Sequence, residues 1–395
     1  MAFGVSWLDI LLVVLFVGFL VSGLRKGLFV TLGGIAGFVA GGVATFFAIP
    51  LVSSWVQDAG WRLFWVVATA VVLMLLGHGI GVAIGARIRL GLNFPVLRSF
   101  DRLLGGVANV AVAGLVISAI AFSVATMGVP LLSQQIAGSQ VIRTIRDVTP
   151  DPVAAVMAQA RATVMGQTIP ELLEPFAPVD DAKAPSPAPS TEALKRAGES
   201  VVKITGTAFA CGVNQTGSGF AAAPDRVITN AHVVSGITEP VVNTRDGRAL
   251  PASVVHFDTA TDLAVLAVEG LGLDPIPVGE DLAKGDSGAF LGYPAGGPFS
   301  SEGATVQSLR TVMVQNIYGA DPSPLEIYQL GAEVEQGNSG GPLLGRDGEL
   351  AGVVFAKAKG DLAVGYALSL DEVEPVVDAA PGYVDAVSTG ACSAT

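Results

Sequence analysis

Charge is scarce in this chain. Only 14% of its 395 residues are Asp, Glu, Lys or Arg, and a mean hydropathy of +0.59 is too apolar for a protein of this length held wholly in water. Basic residues are the scarcer sign, 22 against 34 acidic, and from residue 201 onward the imbalance sharpens to 9 against 23. That half has no basic stripe, which excludes the phosphate-neutralising surface of a nucleic-acid binder and disfavours adhesion to anionic lipid headgroups. No cluster of Cys, His and carboxylates has metal-ligand spacing, and no glycine-rich loop precedes a helix as phosphate binding requires, so neither metal nor cofactor is expected. The N-terminus also lacks the basic segment that opens a cleaved signal peptide.

The apolar excess sits at the N-terminus. Residues 7–24, 28–49, 63–86 and 103–127 are each long and apolar enough to cross a bilayer as helices, which predicts an all-α transmembrane bundle of four. Arg25 and Lys26 fall between the first two spans, and Arg87, Arg89, Arg98 and Arg102 between the last two, whereas the loop near Asp58 and Arg62 is poor in charge. The excess of positive charge puts the first two sets inside, so both ends of the bundle and everything after it face the cell envelope, the periplasmic side. Gly33, Gly37 and Gly41 recur every four residues, as do Gly77, Gly81 and Gly85. Such strips let helices approach closely. His78 lies within the third span as either a proton-sensitive group or a packing partner. Asp9 stands near the outer end of the first, where it can sit at the interface.

After the spans, residues 131–177 read as an amphipathic connector with short helices at 133–147 and 152–165, the second behind a Pro-Asp-Pro start. Residues 178–197 follow, rich in Pro and Ala and too poor in large apolar groups to fold, hence a linker. The last region is 198–395. Its apolar runs are short and punctuated by glycine, near 201–205, 219–222, 226–229, 241–244, 252–258 and 264–269, then 289–292, 302–311, 327–329, 341–344, 350–355 and 365–368. Asp246-Gly247 and Asp347-Gly348 between runs are hairpin signals. This density of strands without crossover helices predicts all-β antiparallel barrels.

Three motifs in that region carry chemistry. Thr-Asn-Ala-His-Val-Val holds His232, Thr-Asp-Leu-Ala-Val holds Asp262, and Gly-Asn-Ser-Gly-Gly-Pro holds Ser339. A serine hydroxyl is a poor nucleophile at neutral pH and needs a base in reach, here His232. Asp262 supplies the group that holds the imidazole in the right tautomer. Glycines around Ser339 allow the tight turn that aims the backbone N–H groups of Gly337 and Ser339 at a developing oxyanion. The spacing, 30 residues from His232 to Asp262 and 77 from there to Ser339, suits two six-stranded barrels with the cleft between them. His256 and Asp258 form a second His/Asp pair with no nucleophile nearby, which reads as a solvated strand face.

The order His, Asp, Ser is that of chymotrypsin-like proteases. Residues of about 198–380 resemble trypsin-like serine proteases of the bacterial HtrA type. The chain ends within about 55 residues of the nucleophile turn, too soon for the PDZ domain that such proteins usually carry. With the four spans read as a colicin V production (CvpA) type domain, nearly the whole chain resembles the mycobacterial acid-resistance periplasmic proteases. The resemblance implies a chymotrypsin-like double barrel and a membrane-tethered serine endopeptidase that cleaves envelope proteins, with a role in acid or oxidative stress. It also implies a pocket for the side chain before the cut, walled by segments 333–336, 353–356 and 365–367. The residues named there are Glu333, Gln336, Val353, Val354, Phe355 and Gly365. Two readings stand for Glu333, an acid on the pocket floor favouring Arg or Lys, or a side chain in solvent.

Several alternatives stay open. Cys211 and Cys392, the only cysteines, either pair in an oxidising compartment or remain thiols. The Gln336-Gly337 peptide is either aligned or flipped at rest, with the oxyanion site unformed. The linker around residues 177–193 is an accessible target for self-cleavage. A rival reading makes the spans a channel-like or secretion-related module whose outer domain senses or binds, its protease activity vestigial. Finally, protonation of the many carboxylates in acid lowers self-repulsion, which would help the domain stay folded there.

Overall fold

Ser6 and Asp9 start the first helix with a capping box. The Ser6 hydroxyl accepts from the Asp9 N–H at 3.1 Å while the Asp9 carboxylate accepts from the Ser6 N–H at 3.0 Å. Asp9 is therefore a capping residue, buried within the protein. The computed structural model describes residues 6–56, 59–91, 95–125, 127, 129–165, 170–172, 187–211, 213–359 and 363–393. The chain divides into two compact units, Met1–Ser118 and Ala119–Thr395.

The first unit is helical. α1 spans Trp7–Lys26, α2 Leu28–Trp55, α3 Ala59–Leu90 and α4 Pro95–Ala125. All four are long and apolar enough to cross a membrane, and they turn large apolar side chains such as Phe46, Phe47, Leu75 and Ile80 outward, as lipid-facing surfaces do. The two glycine strips meet each other. A Cβ on Gly33, Gly37 or Gly41 would strike the α3 backbone at Gly81, Gly77 or Leu73. His78 Nδ1 lies 3.1 Å from Gly34 O on α2, so a neighbouring backbone carbonyl answers this ring nitrogen. α4 starts eight residues earlier than the apolar run predicts, because Pro95 suits a first helical position. Arg87, Arg89, Arg98 and Arg102 therefore stand in the end turns of α3 and α4 rather than in a loop. Asp101, buried, accepts from the Phe29 N–H at 3.2 Å and pairs with Arg89 at 2.9 Å. The loop at Asp58 lies outside the described residues.

The connector forms three helices where the sequence predicts two: α5 Pro130–Gly138, α6 Gln140–Val148 and α7 Asp151–Met165. The break falls at Ser139, whose hydroxyl caps α6 by accepting from the Ile142 N–H at 3.2 Å. β1, Glu171–Leu172, follows. Of the linker, only 187–197 is described, and it ends inside α8, Glu192–Glu199, capped by Thr191.

Two sheets make up the rest. The first contains β2 Val201–Ala208, β3 Val213–Ala223, β4 Arg226–Asn230, β5 Val241–Asn243, β6 Ala249–Pro251, β7 Ser253–Asp258 and β8 Leu263–Ala267, in the order β6-β5-β2-β3-β4-β8-β7. Only Ala252 separates β6 from β7, so the two act as one bent strand that pairs with β5 at one end and β8 at the other, closing six strands into a barrel. The short helix α9, Ala231–Val234, continues β4. The second sheet takes β9 Ser287–Gly292, β10 Ser300–Val314, β11 Ser323–Gly331, β12 Pro342–Leu344, β13 Leu350–Ala358 and β14 Val364–Leu368, with β1 added parallel to β13. Pairing of β13 with both β12 and β14 closes this barrel too. α10, Leu370–Ala379, completes the elements.

Inward residues fill each barrel, Ile204, Val227 and Leu266 in the first, Phe290, Tyr328 and Leu330 in the second. A third cluster joins Phe220 and Ile228 to Leu291, Val353 and Tyr366, and so packs the barrels on each other. Each such side chain contributes about 1.5–3 kcal/mol, which makes the junction a fixed frame for the residues that border it.

The C-terminal segment runs back over the first barrel. Val387 N–H donates to Val254 O at 2.8 Å, Thr389 Oγ1 to Ile237 O at 3.0 Å, and Gly236 N–H to Thr389 O at 3.1 Å. Cys392 is bonded to Cys211, 181 residues away, with Cα atoms 6.1 Å apart. A bridge closing so long a loop restricts the unfolded chain. Replacing both cysteines with alanine should lower the Tm of the two-barrel region by roughly 5–15 °C. Calorimetry of the two proteins side by side checks this.

Candidate active site

Antiparallel pairing of β4 with β8 sets Asn230 opposite Leu263. The residues that follow one strand and precede the other are His232 and Asp262, and the register brings them together. Asp262 Oδ1 accepts from the His232 backbone N–H at 2.9 Å, and Oδ2 lies 2.7 Å from His232 Nδ1. The Asp262 carbonyl accepts from Ala231 N–H at 3.0 Å and Asn230 Nδ2 at 2.8 Å. This grip holds Asp262 at φ +56°, a left-handed conformation that costs a non-glycine residue about 1–2 kcal/mol. Asp258 steadies the approach, its carboxylate accepting from the N–H of Ala260 at 2.8 Å. Its neighbour His256 is half-buried, so the face that the sequence reads as solvated is covered in part. The ring stacks on Tyr383 of the C-terminal segment, centroids 4.5 Å apart and planes 13° from parallel. The pattern of alternate residues missed this because the partner lies 127 positions along the chain.

Burial under Tyr383 holds the His256 pKa below the ordinary imidazole value, against the opposing pull of Asp258. The unfolded chain therefore binds more protons in the window below that ordinary value, so stability rises with pH there. His256 contributes its full share above the unfolded value, about 6.5, and loses it as pH falls toward the folded value. His256→Phe keeps the stack and removes the titration. The gap in Tm between pH 7.5 and pH 5 should narrow in that variant.

Ser339 stands in a turn just before β12. Asn338 N–H donates to Glu335 O at 3.1 Å and Gly341 N–H to Asn338 O at 2.9 Å. Gly337 and Gly340 take φ of +90° and +81°, which L-residues rarely adopt. Space is as strict as conformation, since a Cβ on Gly340 would strike the Ser218 carbonyl and the Thr229 hydroxyl. The turn is thus seated on β3 and on the end of β4 that leads to His232. Ser218 N–H donates to Ser339 O at 2.8 Å, and Thr229 Oγ1 to Ser218 O at 2.7 Å. His232, Asp262 and Ser339 are 8%, 9% and 3% exposed.

Gln336 O accepts from Ala295 N–H at 2.6 Å. The peptide is trans, so the Gly337 N–H points the opposite way from that carbonyl. Among the described residues, neither Gly337 N–H nor Ser339 N–H meets an acceptor, and Ser339 Oγ and His232 Nε2 make no hydrogen bond. The two N–H groups are what an oxyanion site leaves open to substrate, whereas proton transfer requires Ser339 Oγ and His232 Nε2 to come within hydrogen-bond reach of each other.

Val353 and Val354 pair with Leu368 and Ala367, and a bulge follows at Phe355. The segments 353–356 and 365–367 are therefore adjacent. All three named side chains are buried. Glu333 is exposed and Gln336 half-buried, whereas Val334 is buried, and a Cβ on Gly365 would collide with Val334 Cγ2. The solvent reading of Glu333 fits this geometry, with Val334 facing Gly365 instead. One trio of carboxylates among the described residues, Asp281, Glu326 and Asp371, lies within 4.8 Å, on elements that carry no part of the His–Asp–Ser set.

Compared with known proteins, residues 8–150 match the colicin V production protein family and residues 217–353 the trypsin-like peptidase domain. Serine protease Rv3671c of Mycobacterium tuberculosis is 34% identical over 400 residues, which covers 98% of either chain. The chain belongs to this family of trypsin-like serine proteases. The crystal structure of the Rv3671c protease in its active form is similar with a TM-score of 0.52 and 37% identity, covering 56% of this chain and all of that one. A DegP-like periplasmic serine endoprotease of Halomonas elongata is 34% identical over 168 residues, 41% of this chain and 34% of its own. The protein is thus a serine endopeptidase with protein substrates, tethered by a multi-pass membrane domain.

Proposed function

We propose that the protease region cleaves envelope proteins by acyl-enzyme chemistry, with Ser339 as nucleophile, His232 as general base and acid, and Asp262 as orienter. The observation that carries this reading is the double grip of the Asp262 carboxylate on His232, beside a glycine-framed serine turn. Ser339 Oγ attacks the scissile carbonyl carbon and its proton passes to His232 Nε2. The Gly337 and Ser339 N–H groups bind the oxyanion. The imidazolium returns the proton to the leaving amine, and water, activated by the same imidazole, frees the acid product. Comparing envelope proteins from cells carrying the native chain and Ser339→Ala tests the assignment. New N-termini confined to the native cells support it, and identical sets of N-termini overturn it.

Several finer points belong to the same reading. The boundaries are 1–130 for the four-span domain, 131–177 for the connector, 178–197 for the linker and 198–395 for the protease. The protease faces the periplasm, which the basic residues at the α1–α2 and α3–α4 ends support and an oxidising compartment for the Cys211–Cys392 bridge favours. Self-cleavage takes place in residues 177–193, and the acidic surface adapts the domain to low pH. The pocket before the cut is apolar. Glu333 stays in solvent, and the walls at Val353, Val354 and Phe355 are buried apolar residues. Peptides with a small aliphatic residue before the cut should be turned over at least about 10-fold better in kcat/KM than those with Arg or Lys, which a peptide series measures directly.

A further inference from the structure

We propose that Ser218, on β3 of the first barrel, is a positioning residue for the oxyanion site of the second. The proposal rests on the reading of Gly337 and Ser339 as oxyanion donors. Ser218 is fully buried; its hydroxyl and N–H are engaged across the junction between barrels, and its carbonyl within the first. Its Oγ donates to Gly337 O at 2.6 Å and accepts from Tyr293 N–H at 2.9 Å. Its N–H donates to Ser339 O at 2.8 Å, and its carbonyl accepts from Thr229 Oγ1 at 2.7 Å.

The geometry at Gly337 shows what this arrangement does. Two peptide planes flank that residue, and each is anchored by its carbonyl. Gln336 O is held by Ala295 N–H, and Gly337 O by Ser218 Oγ. With both planes fixed, so are φ and ψ of Gly337; the Gly337 N–H lies in the Gln336–Gly337 plane, which Ala295 anchors directly and Ser218 braces from the other side of the residue. The two anchors are themselves linked, because Tyr293, which donates to Ser218 Oγ, begins the turn that contains the Ala295 donor. Ala295 sits at φ +53°, a strained conformation for alanine. Strain of this kind persists only where surrounding contacts over-determine it.

Without the hydroxyl, the buried Tyr293 N–H and Gly337 carbonyl lose their partner. The 337–338 plane keeps only its Asn338 N–H bond to Glu335 O, and the turn from Tyr293 loosens the Ala295 donor on Gln336 O, so the plane that carries the Gly337 N–H leaves its aim. Substrate binding elsewhere in the cleft does not depend on that aim, whereas stabilisation of the tetrahedral intermediate does. Misplacing one donor by a fraction of an ångström to an ångström is enough for a large loss of rate.

The test uses the full-length chain in detergent micelles. Labelling with a fluorophosphonate, with the adduct mapped to Ser339 and absent in Ser339→Ala, first secures the reading on which the proposal rests; an adduct on another residue overturns both. For Ser218→Ala, kcat per labelled site should fall about 10- to 100-fold while KM changes less than about threefold. Affinity for a peptidyl boronate, which mimics the tetrahedral adduct, should fall by the same factor as kcat/KM. A merely structural role would lower the labelled fraction and leave kcat per labelled site at the native value. That result, with Ser339 labelling intact, overturns the Ser218 proposal alone. Where Ser218→Ala is too unstable to purify, Ser218→Cys decides, because a thiol fills similar space but is a weak donor and acceptor. It should show the same split with a smaller factor, and native kcat would overturn the proposal.

Discussion

Replacing Ser339 with alanine is expected to lower kcat on a peptide substrate by about 10⁵- to 10⁶-fold, the scale seen when a triad nucleophile is removed. The fold should survive the change. Ser339 is 3% exposed, and what pins its turn is backbone: Ser218 N–H to Ser339 O, Gly340 N–H to Val354 O, and Gly341 N–H to Asn338 O. Its hydroxyl has no bonded partner among the described residues to lose. Circular dichroism and Tm should therefore stay at native values. A variant that folds and still turns over substrate within 100-fold of the native rate would remove Ser339 from the chemistry.

Asp262→Asn should follow with a loss of about 10⁴-fold in kcat. Both carboxylate oxygens accept in the native site, one from the His232 main-chain N–H and one at His232 Nδ1. An amide can accept at only one of these positions. If its oxygen stays with the main chain, its NH₂ faces Nδ1 and forces the imidazole proton onto Nε2, the atom that must take the proton of Ser339. Asparagine tolerates left-handed backbone as well as aspartate does, so φ of +56° gives no reason for misfolding. Loss of kcat with native Tm is the expected pair. A decline in Tm of several degrees with kcat per folded molecule unchanged would mean that Asp262 is only a brace for α9.

Much of this site is legible in the sequence because its chemistry depends on residue type. A nucleophile turn needs Gly337 and Gly340, an imidazole needs a carboxylate, and the strand periods around them give the barrels. The membrane helices are legible for a similar reason, since apolar length alone identifies them. What escapes the sequence is whatever depends on tertiary contact. The run read at 252–258 leaves out β6, and only pairing with β5 and β8 reveals that strand and the bend at Ala252. Nothing local marks His256 as a stacking partner of Tyr383. The Ser218 hydroxyl reaches Gly337 across 119 positions, and Gly-Ser-Gly within β3 looks like any small-residue stretch. The left-handed backbone at Ala295 and Asp262 carries no signal at all, because the contacts that impose it come from other elements.

The central claim is tested most directly by treating the full-length protein with a fluorophosphonate and mapping the adduct by mass spectrometry of the digested chain. A single adduct on the Ser339 peptide, formed rapidly in the native protein and at least about 1,000-fold more slowly in Asp262→Asn, is the predicted result. An unmodified Ser339 peptide under conditions in which the protein cleaves its substrate would contradict it.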